Sequence, residues 1–433
     1  MLLNILKTFL VLIIIIYLIW GFSDSYSASN IDNIAHITGI AIDKNNNPSA
    51  NLKVSFQFID VSSYSGGSES NSKSNVVIIG VNSNTIDSAI SKLNAYIGKE
   101  VNLSHCRTII FSREFASDGI ATEIYTLINN VQMRPSTNLV VSTSNASDYL
   151  KNSNPNVEEL ISKYYDTFEL TSNFTGYSDD STLGKFYDNI LRSSLGNTAI
   201  LGETFAEIPS ESNSNENSSS SSDSSSSESS SKSDTIAKEN NTDTNRPVLE
   251  NSAKRGTQNK GIAVFNNDTY IGELSSEETM YHLLVTHNVD SFDISVPLKN
   301  YDNDIHNFRI SPYKNPKIYI DTSSDTPLIR LEVFCEANVL SIERKKDYGN
   351  IDFLNNTRPI IENFIKENIT SYLNRTSKEF QVDISHFYTI ARSNFLTIPE
   401  WNNYNWNDKY KKANFSVNVN VNLNSQLLFI ENQ

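Results

Sequence analysis

The sequence predicts a mixed α/β chain of α+β character: two lobes, each a β-sheet packed with helices, behind an N-terminal membrane segment. Three observations carry that prediction. Apolar residues repeat at every second position in some stretches and at helical spacing in others, and the two kinds alternate along the chain. A Ser-rich stretch interrupts the alternation, and an uncharged aliphatic run opens the chain. The resulting division is 1–24 for a signal or anchor helix, 25–207 for an N-terminal α/β lobe, 208–260 for a disordered linker and 261–430 for a C-terminal α/β lobe.

The opening segment comes first. Thr8 to Ser23 carries no charge, and Lys7 precedes it, whereas Asp24, Asp32 and Asp43 follow before the next cation at Lys44. This asymmetry puts the N-terminus in the cytoplasm and the remainder outside. The run exceeds a usual signal core of about 7–15 residues and falls slightly short of the roughly 17–25 of a spanning helix. Trp20 stands where an interfacial aromatic belongs, which favours an uncleaved anchor; cleavage among the small residues Ser25 to Ala28 is the alternative.

In the first lobe, Leu52, Val54, Phe56 and Phe58 alternate with polar residues as a half-buried strand. Thr85 then caps a helix whose apolar face holds Ile86, Ala89, Ile90, Leu93, Tyr96 and Ile97. Arg107 to Ser112 and Asn138 to Ser144 read as strands, with a helix from Ile120 to Val131 between them; further helices are expected over Val157 to Phe168 and Leu183 to Leu195. From Ser210 to Ser233, 16 of 24 residues are Ser. Such a stretch buries too little apolar area to offset the entropy of ordering, so it reads as a flexible linker with a reach on the order of 40 Å.

Beyond it, Gly261 to Phe265 and Thr269 to Leu274 flank a polar turn as a hairpin, and Ser275 with Glu278 supplies a capping box for the next helix. Phe292 to Leu298, Pro316 to Thr322 and Leu328 to Glu343 read as strands. A helix is expected from Thr357 with Pro359 in its first turn. Phe415, Val417, Val419, Val421 and Leu423 alternate with Ser and Asn as a closing one-sided strand.

Composition narrows the functional classes. With 35 Lys+Arg against 50 Asp+Glu, the net charge is −15, and no long basic run occurs, which argues against nucleic acid as a partner. The length of 433 residues suits two or three domains. Cys106 and Cys335 are the two cysteines and form no Cys-x-x-Cys pair, so neither a disulfide framework nor a zinc site is indicated. His282 and His287 lie five apart on an expected helix, about 140° around its axis, and so do not share a metal-binding face. His105 and Cys106, adjacent in extended chain, point to opposite sides and read as structural. Asp302, Asp304 and His306 lack the glycine and terminal glutamate of a calcium loop and read as a solvated turn. The remaining histidines, His36 and His386, stand apart. No Gly-rich phosphate loop and no nucleophile elbow is present. These residues assign no catalytic, cofactor-binding or metal site.

Four blocks nevertheless resemble a known family: Asn30 to Asp43 (NIDNIAHITGIAID), Leu103 to Ile120 (LSHCRTIIFSREFASDGI), Gly261 to Thr279 (GIAVFNNDTYIGELSSEET), and the closing pair Lys378 to Ile384 and Trp401 to Tyr410. They look like the Ger(x)C (GerAC-like) family, the C subunits of spore germinant receptors in endospore-forming Bacillota. The resemblance implies mixed α/β domains on the outer side of the spore inner membrane, a complex with polytopic A and B subunits that senses nutrients, and no enzymatic activity or cofactor. Three departures stand out, one of them a Ser-rich tract longer and more biased than the family's usual connection between lobes. The family's lipoprotein signal ends in Leu-x-Gly-Cys-Trp-Asp, whereas this chain reads Ile19-Trp20-Gly21-Phe22-Ser23-Asp24, without the lipidated cysteine. The family's glycine-rich turn is replaced by Ser385-His386-Phe387-Tyr388 after Asp383-Ile384, which questions that turn's geometry. An anchored extracytoplasmic enzyme or surface-binding protein is the alternative function.

Overall fold

A computed structural model of the chain describes residues 7, 9–17, 33–47, 49–59, 76–153, 160–192, 196–204, 256–298, 304–340 and 351–424. Trp20, Phe22, the stretch Ser25 to Ala28, nearly all of the Ser-rich tract and Asp302 lie outside these residues. Residues 9–17 form a helix, α1, whose side chains from Phe9 to Tyr17 are all exposed. Among the described residues no helix is long and apolar enough to cross a membrane.

The first sheet begins with β1 (Ile34–Asn47), β2 (Ala50–Ile59) and β3 (Val76–Ser83), an antiparallel meander. α2 (Ile86–Ile97) and the short β4 (Glu100–Asn102) lead to β5 (Thr108–Ser112), which joins β1 in parallel. The alternation continues through α3 (Arg113–Ala116), α4 (Ala121–Asn129), β6 (Asn138–Ser142), α5 (Ala146–Asn152), α6 (Ile161–Thr175), α7 (Leu183–Leu191) and β7 (Gly196–Thr204). β8 (Thr257–Asn266) and β9 (Thr269–Leu274) complete nine strands in the order β3-β2-β1-β5-β6-β7-β8-β9, with β4 beside β1.

Both faces of this sheet are covered, and the period of two shows how. Ile40, Ile42, Ile109, Phe111, Leu139 and Val141 pack against α2, α4 and α7 through Leu93, Ile124 and Phe186. Their immediate neighbours Ala41, Ile110 and Val140, with Ile200 opposite Val140 in β7, face the other way, into a second core with Tyr149, Leu150, Tyr165 and Phe168 of α5 and α6. Every residue of β5 and β6 is therefore buried, as parallel central strands require. Asp43, at the far end of β1, accepts the N–H groups of Ala146 (2.6 Å) and Ser147 (2.9 Å) and so satisfies the first turn of α5. Gln57, wholly buried, takes hydrogens from Thr38 Oγ1 (3.1 Å) and Tyr165 OH (3.0 Å) and gives one to Leu150 O (3.3 Å).

The second sheet follows α8 (Ser276–Thr286): β10 (Phe292–Leu298), β11 (Asp304–Asp321), β12 (Leu328–Val339), then α9 (Ile351–Asn374). A π-helical turn (Arg375–Phe380), α10 (Tyr388–Arg392), α11 (Ile398–Tyr404) and α12 (Trp406–Tyr410) precede β13 (Asn414–Asn424), which pairs with β12 in parallel. Strict in-and-out burial along β10, with Val417, Val419 and Val421 buried in β13, shows a sheet covered on one face, by α9 and α8.

The fold class agrees with the sequence reading, and several boundaries differ. α9 begins six residues before Thr357, so Pro359 stands inside the helix. Proline removes the bond to the carbonyl four residues earlier, which is that of Asn355, an exposed residue. α4 ends at Asn129, leaving Val131 fully exposed. α6 runs on to Thr175, closed by Gly176 in the left-handed conformation, and α7 is described to Leu191. Asp304 and His306 belong to β11, where His306 is buried, rather than to a solvated turn. Finally, the hairpin assigned by sequence to the second lobe is hydrogen-bonded into the first sheet: β8 pairs with β7, and Thr204 stands opposite Thr257. The ends of the Ser-rich tract therefore meet at one rung of one sheet.

Candidate functional site: the seam between the sheets

The β8–β9 hairpin belongs to two cores. Ala263 and Phe265 point into the first lobe, while Ile262, Val264 and Leu274 point into the second beside Leu283, Leu284 and Ile369. Gly261 in β8 sits at φ 90°, where a β-carbon would come within 2.3 Å of Leu274 O. The Gly261 N–H donates to Tyr177 O (2.7 Å) just beyond α6, so the hairpin is also tied to the helical layer. At its tip the Asp268 carboxylate accepts Ala121 N–H (3.3 Å) and its carbonyl accepts Ile120 N–H (3.1 Å), capping α4. Arg113 pairs with Glu273 of β9 at 2.8 Å.

Asp383 organises the other side of the seam. Its buried carboxylate accepts Tyr388 N–H (2.8 Å), Phe387 N–H (3.2 Å) and Trp406 Nε1–H (3.0 Å), holding α10 and α12 together. Burial raises its pKa, while the nearby His386 and these donors oppose the shift. The Asp383 carbonyl accepts Gly196 N–H (3.3 Å) of β7, where a β-carbon would lie 2.3 Å from Val382 Cγ1. The turn questioned at the sequence level forms without glycine, because His386 takes the left-handed position at φ 59°.

Between α8 and α9 a buried chain runs from His282 Nδ1 to Tyr372 OH (2.7 Å) and on to Ser385 Oγ (2.6 Å). Burial is the main cause that pushes the His282 imidazole down to about 3, so it stays neutral, and burial raises the Tyr372 phenol. Neither trades protons near neutrality. Glu278 receives Ser275 N–H (2.9 Å) in the expected capping box and also binds Arg375 Nη1, linking the start of α8 to the π-helical turn.

The sequence-marked residues do not converge. His287 caps α8 at φ 57° and does not join His282. Cys106 and Cys335 are buried free thiols in different cores, each pushed up to about 12 mainly by burial, and so are poor nucleophiles. His105 is exposed beside buried Cys106, and its ring meets that of His36 edge to face at 4.7 Å, a juxtaposition invisible in sequence because 69 positions separate them. Among the described residues no three His, Cys, Asp or Glu side chains gather to hold a metal ion. What this geometry defines is a two-sheet protein whose buried polar groups join one lobe to the other.

The comparisons place that protein. Residues 27–204 match the family described as "Spore germination protein N-terminal domain", and residues 260–426 match "Spore germination B3/ GerAC like, C-terminal". The chain belongs to the Ger(x)C family of spore germinant receptor C subunits. A solved structure described as the crystal structure of the GerBC protein has the same fold, with a TM-score of 0.50 and 12% identity over 89% of this chain and 96% of that one. No curated protein sequence matches.

Proposed function

We propose that this chain is a non-catalytic subunit through which a spore germinant receptor responds to a nutrient. Its lobes stand on the outer side of the spore inner membrane, in a complex with polytopic A and B subunits. The observation that carries the reading is the pair of family matches, in order, over nearly everything outside the Ser-rich tract. Spores lacking the chain are expected to fail with at least one nutrient yet to germinate when cortex lysis is triggered artificially. Normal responses to every nutrient, in a strain without a duplicate receptor, overturn the reading.

Attachment follows from chemistry at one position. Phe22 stands where a thiol accepts the diacylglyceryl group, so the protein is held by its uncleaved apolar segment, Thr8 to Ser23. The intact mass of the spore protein tests this: retention of Met1 or Leu2 without lipid upholds the anchor, and a species starting near residues 26–29 refutes it.

A further inference from the structure

A groove of about 660 Å³ opens between α2 and α4, on the face of the first sheet that these helices cover. Its floor is apolar: Ile90 of α2, Val101 of β4 and Leu103 just beyond that strand. α4 ends at Asn129, and the chain after it adds Val131, fully exposed, to the wall. Internal hydrogen bonds fix the frame. Asn94 Oδ1 of α2 accepts Val101 N–H (2.9 Å), and Gln132 Oε1 accepts Leu103 N–H (2.9 Å), so the floor is tied to α2 on one side and to the turn after α4 on the other. Asn130 Oδ1 in turn accepts Gln132 N–H (3.0 Å). These bonds use the amide oxygens of Asn130 and Gln132 and leave both amino groups with no acceptor among the described residues. The side chains of Asn129 and Asp87, both exposed on the rim, make no hydrogen bond or ion pair among the described residues. Asp87 is the sole charged residue of the lining.

We propose that this groove binds an uncharged saccharide, its apolar floor meeting the C–H face of a sugar ring and Asn129, Gln132 and Asp87 meeting the hydroxyls. The lining selects among ligand classes. A carboxylate or phosphate finds no cation there. A wholly apolar ligand would cover the free amides without pairing them, which disfavours it. An amine would find one exposed carboxylate, a weak attraction in water. Sugar hydroxyls both donate and accept, so they suit the amide N–H donors and the Asp87 acceptor alike. The volume lies within the roughly 300–1,000 Å³ of small-molecule sites, and the pinned floor makes the groove preformed. For its role the proposal rests on the nutrient reading above, to which it adds the class of nutrient.

Methyl NMR of the full-length chain in phosphatidylcholine nanodiscs tests it, because Ile90, Val101, Leu103 and Val131 place methyl groups along the groove. The probes are D-glucose, maltose, L-alanine as a zwitterion and putrescine as a cation, each to about 50 mM, which reaches millimolar dissociation constants. Saturable shifts of these methyls with at least one of the two sugars, and with neither charged probe, are expected. N129A removes a rim amide that bonds to nothing in the fold, and Q132E keeps the acceptor for Leu103 N–H while removing the free donor. Each should weaken sugar binding about five-fold with thermal unfolding unchanged. Absence of shifts with both sugars overturns the proposal, as do shifts with L-alanine or putrescine that match or exceed the sugar's, and as does unaltered sugar affinity in both variants. Binding is read on the purified chain and the nutrient response on spores lacking it, so failure of the saccharide site and failure of the receptor reading are separate results.

Discussion

The two sheets hide apolar surface in different ways. The first is covered on both faces, so successive residues such as Ile109, Ile110 and Phe111 enter alternate cores and all are buried. The second is covered on one, so Val417, Val419 and Val421 are buried while Asn418 and Asn422 lie outside. Their buried carboxylates differ in parallel: Asp43 completes one helix end locally, whereas Asp383 gathers donors from two helices and passes its carbonyl to the other lobe. A sheet closed on both sides is self-contained through its helices; a one-faced sheet depends on neighbours, and here the neighbour is the β8–β9 hairpin.

The strongest way to break this comparison is to cut the chain after Thr204. A fragment of residues 27–204 lacks β8 and β9 and leaves the β7 ladder open, so it is expected to aggregate and to show no cooperative melting. Extension through Leu274 should recover soluble protein on gel filtration. A monomeric, cooperatively melting 27–204 would show the hairpin to be an accessory.

Next in size, D383A strands the N–H groups of Phe387 and Tyr388 and the Trp406 indole, with an expected loss of about 3 kcal/mol in chemical denaturation. D43A, on the scale of a helix cap, should lose about 1–2 kcal/mol. Equal losses would remove the distinction between local and seam-spanning carboxylates.

The third test is pH. His282 is held neutral in the fold, its pKa lowered to about 3 by burial, while the unfolded chain binds a proton near 6.5. The unfolded state thus gains protons as pH falls from about 6.5 towards 3, and stability present at neutral pH is lost across that window. Between pH 7 and pH 5 this amounts to about 2 kcal/mol. Asp383, raised by burial, acts in the opposite sense, its folded state favouring protonation, so the difference between wild type and H282Q in paired melts isolates the histidine. An identical pH dependence in both proteins would refute the assignment.

Smallest is the tract between Thr204 and Thr257. Because its ends are already paired, halving it should raise stability by only about 0.6 kcal/mol and leave both lobes folded, readable in the melting curve. A loss of cooperativity would show that the tract takes part in the fold.

Much of this architecture was legible locally. Thr85 caps α2, Ser275 and Glu278 form their capping box, and the alternation in β13 matches its burial. What escaped depends on distance in sequence. Turn chemistry marked residues 261–274 as a hairpin, but its pairing with β7 lies across the Ser-rich tract, where no periodicity links the two sides. Pro359 suggested a helix start because sequence does not reveal that Asn355, whose carbonyl loses its helical donor, lies on the exposed side of α9. The seam itself left no local sign, since Asp383 and Trp406 lie 23 positions apart and only the fold brings them to 3.0 Å.

The pairing of Thr204 with Thr257 also sets a schedule for synthesis. The edge of β7 cannot be closed until β8 and β9 have been made, roughly 70 residues later, which at about 5–20 residues per second is a wait on the order of several seconds. During that interval the nascent chain that follows β7 is rich in Ser, Asn, Asp and Glu and poor in β-branched and aromatic residues, so it is a weak competitor for the waiting ladder. A delay that invites mispairing in most sheets is here filled with sequence that has little capacity to mispair.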